Sequence, residues 1–248
     1  MEYLEKPNFP KGKATVIAVS SLAEDVKSAL ASAKIAVVPI DPSDDLPKGI
    51  ASHADLQLLH LGGKSVITSS CSEKTVEMLK TLFFEAQESF QKAGDTYPND
   101  CHLNVQFLGK KVLLNPNTAD PRVLQFLEEQ NYNFIAVKQG YAKCAALAIC
   151  EDAIITADRG IAKIAEDHGI EVLTIRDDKI RLEGYANGFI GGCGGMIEKG
   201  ILGTSGDLRS IQDYQNIKDF LRNRNVYAEN LGGKELCDIG GIIPLCEE

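Results

Sequence analysis

A compact apolar run, followed by an amphipathic helix and further strand-like runs, occurs five times along this chain. The runs open as ATVIAVS at Ala14, SVITS at Ser65, KVLLN at Lys111, DAIIT at Asp152 and GILGT at Gly200. With Val16, Val66, Val112, Ile154 and Ile201 as matched positions, the separations are 50, 46, 42 and 47 residues. A near-constant period of this size marks equivalent supersecondary units, none of which buries its apolar face alone. If the units close on one another, side chains distant in sequence meet on the common axis.

Local signals define each unit. Ser21 with Glu24, and Ser70 with Glu73, read as capping boxes, and Leu22, Val26, Leu30 and Ala33 then share a helix face. Asp120 followed by Pro121 and the lone Asp158 predict two more helix starts, and Gly169 a left-handed stop. The fifth helix carries Ile217, Phe220 and Leu221 and ends near Asn223 and Asn225. Strands follow at IAVVPI from Ile35, NFIAV from Asn133, IEVLTI from Ile170 and VYA from Val226. In the second unit the helix is expected to reach about Lys92, with GDTYPND in place of a strand. The fourth has an added turn and hairpin around DDKIRLEGYANG.

Each unit closes on one more run: DLQLLHL from Asp55, HLNVQFL from His102, CAALAIC from Cys144, GFIGGCGGMI from Gly188 and DIGGIIPL from Asp238. The unit is thus strand, helix, strand, strand. A doubly wound α/β sheet also alternates strands and helices, but a βαβ unit needs only about 30 residues. A WD-type propeller has a similar period without helices. The expected architecture is α/β: a five-bladed α/β propeller in one domain over residues 1–248, with DIGGIIPL pairing to ATVIAVS and so removing two sheet edges.

Charge narrows the partners. The formal net charge is −9, and no cluster of Lys and Arg exceeds a pair, which disfavours nucleic acid. No apolar stretch is long enough to span a bilayer and no secretory leader precedes the first unit, so a cytoplasmic protein without membrane partners is expected. Seven cysteines at irregular spacing fit a reducing compartment. Cys144 and Cys150 read as small core residues, and four histidines without a dense Cys/His cluster predict no metal site. The glycine-rich strings lack a phosphate-loop context, and no cofactor is expected.

The five-fold unit, the returns GGCGGMI and DIGGIIPL, and the segment QGYAKCAALAI resemble the pentein superfamily of guanidino-group-modifying enzymes. Arginine and agmatine deiminases, amidinotransferases and dimethylarginine dimethylaminohydrolases belong to it, as does a ribosome anti-association factor. The chain looks closest to a bacterial branch of such proteins. The resemblance implies an axial site in which a last-blade cysteine attacks a guanidinium carbon, a middle-blade histidine moves protons, and early-blade carboxylates hold the cation.

Matched on Gly240 and Gly241, the nucleophile's place falls on Pro244 or Leu245, and Cys246 lies one pleat repeat beyond Pro244. The proton carrier's place falls on Tyr141. Cys246 and Tyr141 are therefore the off-pattern catalytic candidates, and the resemblance implies that the usual Cys/His hydrolase pair is missing. His53, Asp55, Asn99, Asp100, His102, Lys143 and Asp238 are the ligand-binding candidates at one end of the ring. His53 and Asp55 also read as a cap at a strand entrance, Asn99 and Asp100 as turn residues after Pro98, and Lys143 as a solvated lysine at the mouth. Two functions follow. One is binding of a small guanidino or amino-acid-like ligand without hydrolysis. The other is a deiminase-like or amidinohydrolase-like enzyme using Cys246 or Cys193.

Overall fold

The computed structural model describes residues 2–176 and 179–248. Along the chain run β1 (Glu2–Tyr3), β2 (Ala14–Ser20), α1 (Glu24–Ser32) and β3 (Ala36–Ile40). The first repeat closes with α2 (Ala54–Gln57) and β4 (Leu58–Gly62), and the second contributes β5 (Ser65–Thr68), α3 (Glu73–Thr81) and β6 (Glu85–Glu88). Next come β7 (Gln106–Leu108), β8 (Lys111–Leu114), α4 (Pro121–Glu129) and β9 (Asn133–Ala136). They are followed by α5 (Ala142–Ala145), β10 (Ala146–Cys150), β11 (Ala153–Thr156), α6 (Arg159–Asp167) and β12 (Glu171–Thr174). A 3₁₀ turn over Ile190–Cys193 then leads into β13 (Gly194–Glu198), β14 (Ile201–Gly206), α7 (Tyr214–Arg222), β15 (Tyr227–Gly233) and β16 (Ile243–Glu247).

These strands make five small sheets of one design. In each, the closing run of one repeat pairs antiparallel with the opening run of the next, which pairs parallel with the strand after its helix. The last repeat obeys the same rule with the first: β16 pairs with β2, Ile243 opposite Ala18 and Cys246 opposite Val16. The opening strands are buried along nearly their whole length, whereas β6 and β9 are mostly exposed edges and β12 is a half-exposed one.

All five connecting helices are nine residues long. Each buries a pair at i and i+4: Val26 and Leu30, Thr75 and Leu79, Val123 and Leu127, Ile161 and Ala165, Ile217 and Leu221. This spacing aims one stripe at the sheet and leaves the rest to water. Each helix also ends on a left-handed residue: Lys34, Phe83, Asn131, Gly169 and Asn225. The next amide then reaches back to a carbonyl of the final turn, as Ile35 does to Leu30 and Ile170 to Ala165.

Several local expectations are corrected. Ser21 does not cap α1, whose N-cap is Ala23 with no side-chain bond. Ser72, not Ser70, caps α3 by accepting from the Thr75 amide. Asp120 and Asp158 cap α4 and α6 as expected. The helix of the second repeat stops at Thr81, and the missing strand is EAQE, whose polar side chains suit an exposed edge and give no apolar signal. Of the expected hairpin, Asp177 and Asp178 lie outside the described residues, and Arg181 forms an isolated parallel bridge with Cys237. Among the described residues no helix is long and apolar enough to cross a membrane.

Candidate functional site

The closing runs do not enter their strands directly. A single helical turn precedes β4 and β10, and the 3₁₀ turn precedes β13, so the first residues of these runs point their polar groups at one another. Asp55, in the turn of α2, is fully buried. Its Oδ2 accepts the Cys144 thiol hydrogen at 2.9 Å and lies 3.6 Å from Lys143 Nζ. Its Oδ1 has no partner. Asn104 fastens the neighbouring turn: Oδ1 accepts from the Lys143 and Cys144 amides at 2.8 and 3.1 Å, and Nδ2 lies 3.1 Å from Cys144 Sγ.

The last repeat completes this inner cluster. Asp238 accepts from the amides of Phe189 and Gly240 and lies 3.7 Å from His53 Nδ1. Burial pushes the Asp238 carboxyl up, against the pull of the His53 ring. Gly240 has φ +76° and its carbonyl accepts the Asp55 amide, so the Gly-Gly turn is laced directly onto the first repeat. A Cβ on Gly241 would come within 2.5 Å of Lys143 Nζ.

A second cluster lies beside the first. Tyr141 OH donates to Asp100 Oδ2 at 2.5 Å, and Asp100 Oδ1, also buried, has no partner. The Tyr141 ring packs between Tyr97 at 5.6 Å and Phe189 at 5.9 Å between centroids. Burial, and then Asp100, hold the Tyr141 phenol well above its ordinary range, so it is a donor and not a base. His102 bonds Ser69 Oγ at 2.9 Å and is kept below its ordinary pKa by burial.

The sequence candidates thus divide. His53, Asp55, Lys143 and Asp238 come together, and Asp100 and Tyr141 form a neighbouring pair. Lys143 is buried, not a solvated lysine at a mouth. Asn99 is exposed, and its carbonyl serves the loop by accepting from Gly94. Cys246 packs in an apolar cluster with Val16 and Leu58, even though the β16–β2 register shifts between Pro244 and Cys246. Burial raises its thiol to about 11. Cys193 is buried and donates to the Phe189 carbonyl.

Asn104 carries no expectation from the sequence, and Cys144, expected as a small core residue, is buried but bonded to a carboxylate. The motif holding Asn104 is nonetheless written twice, as His53-Ala54-Asp55-Leu56-Gln57 and His102-Leu103-Asn104-Val105-Gln106. His53, Asp55 and Cys144 also offer ligand atoms within 4.8 Å of one another, a cluster that linear spacing had argued against. Burial and the adjacent Asp55 and Asp238 carboxylates keep the Cys144 thiol protonated. Chemically, the arrangement can hold cations but carries no activated sulfur nucleophile.

Space is tight around this cluster. Two cavities on the Asn8 side of Lys143 are each about 10 Å³, the size of one water. The larger clefts, about 560 Å³ beside Leu22 and Arg181 and about 370 Å³ beside Tyr214 and Tyr227, share no lining residue with either polar cluster.

No curated protein matches this sequence. Among solved structures, an inosamine-phosphate amidinotransferase from Streptomyces griseus is similar at TM-score 0.60 and 10% identity, over 99% of this chain and 97% of that one. Dimethylarginine dimethylaminohydrolase from Pseudomonas aeruginosa, in a mutant complexed with citrulline, matches at TM-score 0.55 and 9% identity, over 89% and 92%. Agmatine deiminase of C. jejuni matches at TM-score 0.53 and 11% identity, over 91% and 90%. The chain therefore shares its fold with these three enzymes, and since the model of the family of unknown function DUF6873 matches residues 18–243, the chain belongs to that family.

Proposed function

We propose that the five sheets close as the blades of a single-domain propeller, and that its axial polar site binds a small guanidino or amino-acid-like ligand without hydrolysing it. The uniform pairing of each closing run with the next opening run, including β16 with β2, supports the ring. Asp100 carries the ligand reading. A buried carboxylate with one oxygen bonded to Tyr141, whose ring packs on Tyr97 and Phe189, and with the other oxygen unpartnered suits a planar or ammonium cation. Asp55 already faces an internal cation in Lys143, so the ligand's charge is assigned to Asp100. Deep burial and raised thiol pKa values at Cys144, Cys193 and Cys246 support binding over catalysis.

The test is a thermal-shift and calorimetric screen of arginine, agmatine and guanidinium, with a parallel assay for ureido products. Binding at a hundred times Kd stabilises the fold by about 2.7 kcal/mol. That stabilisation is expected to vanish in Asp100→Asn, with no ureido product from either protein. Product formation that depends on one cysteine would instead establish the enzyme, and the absence of any stabilising guanidine would end the ligand reading.

A further inference from the structure

Three donors of different chemistry meet at the inner cluster. His53 precedes the turn of α2, Asp55 lies within it, and Cys144 comes from the turn of α5, 89 residues further on. All three are buried, and one ligand atom from each lies within 4.8 Å of the others. An imidazole nitrogen, a carboxylate oxygen and a sulfur within one ion's reach form the donor set of zinc and its neighbours, and would not suit calcium or magnesium.

We propose that His53, Asp55 and Cys144 bind a divalent transition ion of the zinc class, independently of any ligand at Asp100. Asp55 Oδ1 is a second, separate observation: a completely buried carboxylate oxygen with no protein partner. The surroundings are those of a held site. Asp238 lies 3.7 Å from His53 Nδ1, beyond a hydrogen bond but on the side of the ring from which a carboxylate orients a metal-binding imidazole. Asn104 fixes the turn that presents Cys144 through two backbone bonds.

Among the described residues Lys143, 3.6 Å from Asp55 Oδ2, is the nearby cation that opposes a metal, and formal charge decides the matter. Thiolate Cys144 with the Asp55 and Asp238 carboxylates totals three negative charges, which one divalent ion and Lys143 together neutralise. On binding, the Cys144 S–H bond breaks, a sulfur–metal bond forms, and the proton leaves to solvent with no change of oxidation state. Because the donors are buried, loading accompanies folding.

The test is expression of the whole chain in cobalt-supplemented medium, followed by metal analysis and absorption spectroscopy. About one ion per chain and a near-ultraviolet thiolate-to-cobalt charge-transfer band are expected, as for a site with one sulfur ligand. Both are lost in Cys144→Ser and both persist in Cys71→Ser and Cys237→Ser, whose thiols are half-buried elsewhere. Asp238→Asn should weaken metal retention about 10–100-fold against a competing chelator. If Cys144→Ser does not fold, X-ray absorption at the zinc edge of the unaltered protein decides, with one sulfur and lighter donors expected. No metal in the unaltered protein, a band that survives Cys144→Ser, or several sulfurs around the ion overturns the assignment.

Discussion

Cys144 Sγ donates to Asp55 Oδ2 at 2.9 Å across 89 residues of sequence, and Lys143 Nζ approaches the same oxygen at 3.6 Å. One carboxylate therefore ties the first repeat to the middle one by an ion pair and a hydrogen bond, both out of water. Asp55→Ala leaves the buried Lys143 ammonium uncompensated, and a loss of about 3–5 kcal/mol is expected. The double variant Asp55→Ala with Lys143→Met removes both charges and should lose far less than the losses of Asp55→Ala and Lys143→Met added. Urea unfolding of the four proteins measures this; additive losses would show that the two groups do not interact.

Tyr141 and Asp100 make the corresponding link between the second and third repeats. Tyr141→Phe keeps the ring between Tyr97 and Phe189 but strips the buried carboxylate of its one donor. A cost of about 1–3 kcal/mol follows. Tyr141→Ala adds the lost aromatic contacts, about 0.5–1.5 kcal/mol for each pair. Chemical denaturation that finds Tyr141→Phe as stable as the parent would remove the Asp100 bond from the account.

The scaffold was more legible than the site. Apolar runs at a regular period predicted which strands lie inside, and the β16–β2 pairing follows from treating the repeats as equivalent. Edges and caps were harder. EAQE is a strand because Ser65–Thr68 offers it a parallel partner, not because of its own composition. Lys34 and Phe83 adopt the left-handed stop that only Gly169 and the Asn residues announce by type. At the site, CAALAIC reads as core, and Cys144 is indeed as buried as core. Its polar neighbours come from other repeats, so its character depends on contacts between repeats that no local pattern contains.

Gly240 should tolerate no side chain. Its φ is +76°, and an added Cβ would collide with the His53 Cα, a backbone atom that cannot swing aside. Gly63 has φ +57° but open space around it. Gly63→Ala is expected to cost about 1 kcal/mol, the ordinary penalty for leaving a left-handed glycine. Gly240→Ala should cost several times as much, with His53 and Asp55 displaced. Equal melting temperatures for the two variants would contradict the close packing of the Gly-Gly turn on the first repeat.

His60 makes stability depend on pH in a known direction. Its ring is buried against Phe84, and desolvation lowers its pKa to about 4, more than its bond to the Gly63 carbonyl raises it. Between that value and the unfolded pKa of about 6.5, the unfolded chain binds more protons than the folded one, so stability rises with pH. The contribution is complete above about pH 6.5 and is lost as pH falls towards 4, amounting to about 3 kcal/mol at 1.36 kcal/mol per unit. His102, lowered by burial as well, adds a slope of the same sign. Urea midpoints measured from pH 4 to 7 should therefore climb steeply, and His60→Gln should flatten the climb while leaving the His102 share. An unchanged slope in His60→Gln would show that this ring is hydrated or charged in the native protein.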